Sequence, residues 1–115
     1  MRDRGAASLF VLAIGLVLVS AGMAGAAVGA VRVGRQQART AADLGALAAA
    51  MRVVEGSGAA CARAAEIVGR NGARLTACRV AGLDVEVTAG VGVTPLPGLT
   101  GQAVARARAG PVADG

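Results

Sequence analysis

Residues 6–31, AASLFVLAIGLVLVSAGMAGAAVGAV, form a run of twenty-six without one charged side chain, and Ser8 and Ser20 are its only hydroxyls. As a helix rising about 1.5 Å per residue the run spans about 39 Å, against about 30 Å for the hydrocarbon core of a bilayer. With some tilt it crosses a membrane. Arg2 and Arg4 precede it, and Arg32, Arg35 and Arg39 follow. Two fates fit these features. In one the run is a retained transmembrane helix. In the other it is the apolar region of a cleavable signal peptide, with Ala24-Gly25-Ala26 as a small-residue cleavage site between Ala26 and Ala27. Leu9 to Val19 alone would satisfy a signal peptide, so the full length leans toward a span and leaves cleavage open. Arginines on both sides leave the orientation undecided by the positive-inside rule.

The chain has 115 residues, so about 84 remain beyond this segment, enough for one small domain. The one aromatic residue, Phe10, lies inside the apolar run. Any core outside it is built mainly from Ala and Val, which bury little area per residue. All twelve basic residues are Arg, and Ala is about a quarter of the chain, a composition that reflects a high-GC bacterial genome. The net charge of +5 does not carry a nucleic-acid reading: the arginines are scattered and no aromatic outside the run can stack on a base. Arginines beside a membrane segment meet anionic headgroups more often.

Within the run, Gly15, Gly22 and Gly29 recur every seven residues, and Gly25 to Gly29 is a GxxxG. Small residues four apart, as in Ala21, Gly25, Gly29 and in Gly22, Ala26, Ala30, Gly34, make a smooth stripe that admits a second helix in lipid. An Ala/Gly-rich composition also produces such spacing by chance. Beyond Arg32 the helical pattern persists. Leu44, Leu47, Met51 and Val54 follow 3-4-3 spacing on one face, with Arg35, Gln36, Arg39, Asp43 and Arg52 mostly on the other. Arg39 and Asp43 form an i,i+4 pair. High Ala content favours one continuous helix from about residue 6 to 54, stopped by Glu55-Gly56-Ser57-Gly58.

The segment Gly34-Arg35-Gln-Gln-Ala-Arg39-Thr-Ala41-Ala42-Asp43-Leu-Gly-Ala46-Leu47-Ala48-Ala49-Ala50 resembles the signature that follows the membrane helix of TadE/TadG-like Flp pilus-assembly proteins. Arg35, Ala41, Ala42, Asp43 and Leu47 carry the match. The pattern of the small actinobacterial TadE-like proteins encoded in a helicase and secretion neighbourhood fits best, and the resemblance covers roughly residues 2–54. It implies a membrane-anchored, pilin-like protein whose partners are other pilin-like or secretion-assembly proteins. Prepilins are cut after a Gly, so the resemblance makes Gly5 and Ala6 a processing site. Many prepilins carry Glu at mature residue five; Phe10 stands there here, which points to an accessory role and away from a major filament subunit.

After the Gly-Ser-Gly break, Ala59 to Arg70 reads as a second helix, ended by Asn71-Gly72 with Gly72 at positive φ. Arg74 to Ala81 reads as a strand, and Ala81-Gly82 as the turn of a hairpin. Leu83 to Val93 alternates apolar and polar for eleven residues, a half-buried strand. Thr94 to Gly98 reads as a loop. Gln102 to Ala109 is a third strand that keeps Ala103, Ala105, Ala107 and Ala109 on one face.

No His is present, which excludes His-based acid–base catalysis, triads and His-containing metal sites. Asp84 and Glu86 share a strand face, as solvent-facing residues of any half-buried strand do. No phosphate-binding Gly-rich loop occurs. Neither catalytic nor metal-ligating residues, a cofactor, nor a small-molecule substrate is implied. Cys61 and Cys78 admit three readings: a disulfide, two buried thiols, or a redox pair. Their spacing is wrong for CxxC chemistry, and two cysteines alone make a poor metal site. A helix packed on a hairpin would bring them together in an oxidising compartment, so the disulfide is favoured.

The fold expected is α+β: a long N-terminal transmembrane or pilin-like helix, then one short helix and a two- to three-stranded antiparallel sheet. Five segments follow: a basic tail (1–5), a transmembrane or signal-anchor segment (6–31), a helix continuation (32–56), a small extracytoplasmic α+β domain (57–109) and a flexible tail (110–115). The function expected is a non-enzymatic, single-pass accessory component of a Flp-type pilus or related secretion assembly, in the cell membrane with its C-terminal domain outside. The alternative is a small secreted protein, released by cleavage near Ala26, that binds another protein.

Overall fold

The computed structural model describes residues 2–111. Helix α1 runs Arg2–Ala50, a 3-10 turn spans Val53–Glu55, and helix α2 spans Ser57–Arg70. Strands β1 (Arg74–Ala81), β2 (Asp84–Leu96) and β3 (Leu99–Ala109) follow as two hairpins, forming a three-stranded antiparallel sheet in the order β1-β2-β3. The fold is α+β, as the sequence pattern predicts. Several element boundaries differ from expectation: α2 begins two residues earlier, at Ser57, β3 three residues earlier, at Leu99, and others shift as follows.

The basic tail is not separate from the helix: from Arg2 onward it is the first turn of α1, where Asp3 complements the helix dipole. Met1 lies outside the described residues. At its other end the helix stops at Ala50 instead of continuing to 54, and the chain tightens through Val53–Glu55, which brings Val53 onto the core. Gly56, at φ 112°, then redirects the chain into α2. Few residues other than glycine tolerate that angle. In the sheet, β2 continues through Thr94 and Pro95 to Leu96, so the expected five-residue loop is reduced to the turn Pro97-Gly98, with Gly98 at φ 80°. The pairing is irregular between Val93 and Leu96, which is where a residue without a backbone N–H can be carried by a strand. The first hairpin turn is Gly82-Leu83, closed by the Ala81–Asp84 pair. Gly110 and Pro111 have no regular structure, and residues 112–115 of the expected tail lie outside the described residues.

The core sits between the sheet, α2 and the C-terminal half of α1. The alternation read in β2 holds: Val85, Val87, Ala89 and Val91 point inward. On α1, however, the inner face is Ala38, Ala41, Ala42, Gly45, Ala46 and Ala49, and not the row of larger side chains. Leu44, Leu47, Met51 and Val54 are 42–85% exposed. The physical reason is approach distance. A Cβ at Gly34 would collide with Val93, and one at Gly45 would come within 2.6 Å of Val68. Backbones held this close fill the interior with Ala and Val at high density. The largest fully buried side chains are Val68, Val85 and Val87.

A disulfide joins Cys61 of α2 to Cys78 of β1, with 5.8 Å between their Cα atoms. Closing a loop of this length contributes about 3 kcal/mol in the chain-entropy model, substantial for a core without aromatic residues. At the far end of α2, the Gln37 amide donates to the carbonyls of Asn71 and Gly72, tying α1 to the turn. Gly72 takes φ 74°, the positive angle expected of it.

Candidate functional site

The first candidate surface is the N-terminal half of α1. Every residue from Asp3 to Ala26 is exposed in the isolated chain, although this is the most apolar part of the molecule. The helix is long and apolar enough to cross a membrane. Gly15, Gly22 and Gly25 are exposed and meet no other atom of the fold within 4 Å of an added Cβ, so nothing in the chain covers that part of the stripe, whereas Gly29 is half-buried where the stripe reaches β2. The second series divides in the same way: Gly22 and Ala26 are exposed, while Ala30 and Gly34 turn toward Val91 to Thr94 of β2, where small size serves packing within the chain. Gly5 and Ala6 lie exposed in the first turns of α1. Ala26 and Ala27 lie well inside the helix, the first exposed and the second half-buried.

The second surface lies at the opposite end. Leu47, Met51, Val53 and Val54 meet Leu83, Ala109 and Pro111 in an apolar depression. The signature residues divide between the two sides of α1. Ala41 and Ala42 are fully buried, whereas Arg35, Asp43 and Leu47 face outward. Asp43 lies 3.9 Å from Arg39, the i,i+4 pair read from the sequence.

Between these ends, Arg32, Arg35 and Arg39 of α1 and Arg106 of β3 line one open cleft with Gln36 and Val104. Sequence reasoning placed the first three beside the membrane but did not bring Arg106 to them. The signal was present in β3, where arginines at 106 and 108 alternate with the inward alanines. Asp84 and Glu86 sit 3.9 Å from Arg108 and Arg106 respectively, as cross-strand charge partners. These are exposed pairs of small energetic weight. On α2, Arg63 and Arg70 both contact Glu66, at 3.0 and 2.8 Å. The hydrogen bond and charge from Arg63, followed by the charge of Arg70, hold the Glu66 carboxyl below the usual glutamate range. Among the described residues, no three His, Cys, Asp or Glu side chains gather as a metal site would require.

No curated protein and no solved structure matches the chain significantly. Residues 5–52, from the first turn of α1 to just past its end, do match a family, and it is the one that the Gly34–Ala50 segment resembles: the family described as "Putative Flp pilus-assembly TadE/G-like".

Proposed function

We propose that this protein is a non-enzymatic, single-pass accessory component of a Flp-type pilus or a related secretion assembly. The observation that carries the proposal is a coincidence of boundaries. The family match at 5–52 falls on one unbroken helix, Arg2–Ala50, whose first half is apolar and uncovered. In this reading α1 spans the membrane, and the unit built by its C-terminal half, α2 and the sheet stands outside the cytoplasm. The Cys61–Cys78 disulfide supports that side, since such bonds persist in oxidising compartments. Partner helices engage the glycine stripe within the membrane. The exposed row of Leu44, Leu47, Met51 and Val54 meets them beyond it.

N-terminal sequencing of the protein purified from its native membrane tests the anchoring. A start at Ala6 supports prepilin-type processing, and a start at Met1 or Arg2 supports a plain anchor. A start at Ala27 in the culture supernatant would overturn the anchored reading in favour of the secreted one. Deletion of the gene tests the assembly role. The expected result is loss of pili or of secretion, restored by the intact chain; unchanged pili and secretion would overturn it.

A further inference from the structure

We propose that the tip of the β2–β3 hairpin is a second membrane contact, seated in the interfacial layer beside α1 beneath a row of arginines that bind lipid phosphates. The proposal rests on the reading that α1 spans a bilayer, and it begins with the sequence of the hairpin. From Val87 to Ala105, nineteen residues carry no charge. The tip is formed by Pro95, Leu96, Pro97, Gly98 and Leu99, with Leu96 and Leu99 paired across the turn and 36% and 54% exposed. At the end of this uncharged hairpin the fold leaves about a third of Leu96 and half of Leu99 uncovered.

Position decides what covers them. Strand β2 runs antiparallel to α1, which brings Thr94 beside Ala26, Gly29 and Ala30, and Pro95 and Leu99 beside Val31. The tip therefore lies level with the last stretch of the uncharged run. Residues 6–25 already give about 30 Å of helix, the thickness of the hydrocarbon core. Residues 26–31 are the surplus, and they are the part of the run that the hairpin flanks. That places the leucines in the interfacial zone. Irregular backbone exposed to lipid is not tolerated deeper than this, because its polar groups would have no partners.

The charges begin at the next level. Arg32, Arg35 and Arg39 climb about 10 Å along α1, and Arg106 closes the same cleft from β3. Asp43 and Glu86 approach two of these arginines only to 3.9 Å and leave the cleft net positive. Apolar tip below and arginine row above match the layering of a leaflet, acyl chains below and phosphates above. Juxtamembrane basic residues are attracted to anionic headgroups in this way. The hairpin thus fixes both the depth of α1 and the rotation of the attached unit about it.

The natural chain has no Trp, so single tryptophans report depth without background. Full-length variants Leu16→Trp, Leu96→Trp, Leu99→Trp and Leu83→Trp are reconstituted in phosphatidylcholine vesicles and exposed to brominated lipids and to aqueous iodide. Leu83, at the opposite end of the sheet, is as exposed as Leu99, at 54%, and controls for the preference of indole for interfaces. The expected result is quenching by deep bromines at position 16 and by shallow bromines at 96 and 99. Position 83 responds to iodide alone. If 96 and 99 are as open to iodide as 83 while 16 is quenched by lipid, the hairpin proposal falls and the span stands. Shielding of 96 and 99 from both quenchers means that protein covers the tip, which also overturns it. Failure at position 16 removes the span itself, and the proposal with it. Adding phosphatidylglycerol is expected to strengthen lipid quenching at 96, and combining Leu96→Trp with Arg35→Gln, Arg39→Gln and Arg106→Gln is expected to abolish that increase. Indifference to lipid charge would overturn the role given to the arginines.

Discussion

Gly45 and Gly69 are both helical glycines, yet they carry opposite predictions. Replacing a helical Gly by Ala gains about 1 kcal/mol from the chain's reduced freedom and better propensity. At Gly69 nothing lies within 4 Å of the new methyl, so Gly69→Ala is expected to stabilise by about 0.5–1 kcal/mol. At Gly45 the methyl would sit 2.6 Å from Val68 and 3.6 Å from Val87, both buried. Overpacking a filled core costs about 1–3 kcal/mol, which exceeds the helical gain, so Gly45→Ala is expected to destabilise. Thermal unfolding of the two variants in the same detergent gives the signs; a stabilised Gly45→Ala would mean that α1 and α2 can move apart freely. Glu66 supplies a second prediction. Its folded-state pKa lies below the unfolded value of about 4.3, so its pairing with Arg63 and Arg70 stabilises the fold at neutral pH. That contribution is lost as pH falls through the lower, folded-state value. Glu66→Gln is expected to lower the thermal midpoint slightly at pH 7, and the two curves should converge in acid. The difference is small because the group is exposed. A gap that stays constant to pH 3 would assign the effect to something other than ionisation.

At the scale of elements, the strands were more legible than the helix faces. Eleven residues of alternation placed β2, and the alanine row of β3 faced inward as its spacing implied, because a strand has only two faces to choose between. Helix α1 was legible in extent but not in which side it buries. Periodicity marks Leu44, Leu47, Met51 and Val54 as the apolar stripe, and the rule that such a stripe faces the core assumes ordinary helix spacing. Here the nearer packing of Ala38, Ala41, Gly45 and Ala49 wins, and the large residues are left outside. A single chain's pattern cannot separate a core stripe from a stripe meant for another molecule, since both require the same residues. The same limit applied to Arg106, whose meeting with Arg32 and Arg35 depends on the sheet lying along α1. The prediction at this scale concerns the exposed row. Leu47→Glu with Met51→Glu is expected to leave the thermal midpoint unchanged, because neither side chain packs in the core. On the proposed reading that this row meets assembly partners, the same change is expected to abolish crosslinking of the protein to them in intact cells. A large loss of stability would return these residues to the core.

The whole molecule extends 81 Å along its longest axis and 16 Å along its shortest, a shape set by α1. The two ends of that helix do different work. Among the described residues the buried ones run from Gly34 to Ala107, and every residue from Asp3 to Ala26 is exposed, so that part of the apolar run contributes nothing to the interior. The disulfide and both hairpins lie on the other side of that division as well. The folded unit is therefore α1 from about Ala27 onward together with α2 and the sheet, and the preceding segment is an extension that the unit carries. A chain beginning at Ala27 is expected to fold without detergent, to unfold in one cooperative thermal transition, and to show no free thiol until reduced. Reduction is expected to lower its midpoint, since about 3 kcal/mol of loop-closure stabilisation goes with the bond. Circular dichroism and thiol titration measure these outcomes. A product with helical signal but no cooperative transition would mean that residues 2–26 hold the unit together, and the division into an apolar extension and a folded unit would be wrong. If the prediction holds, whatever covers residues 3–26 in the cell acts on a surface that folding leaves unused.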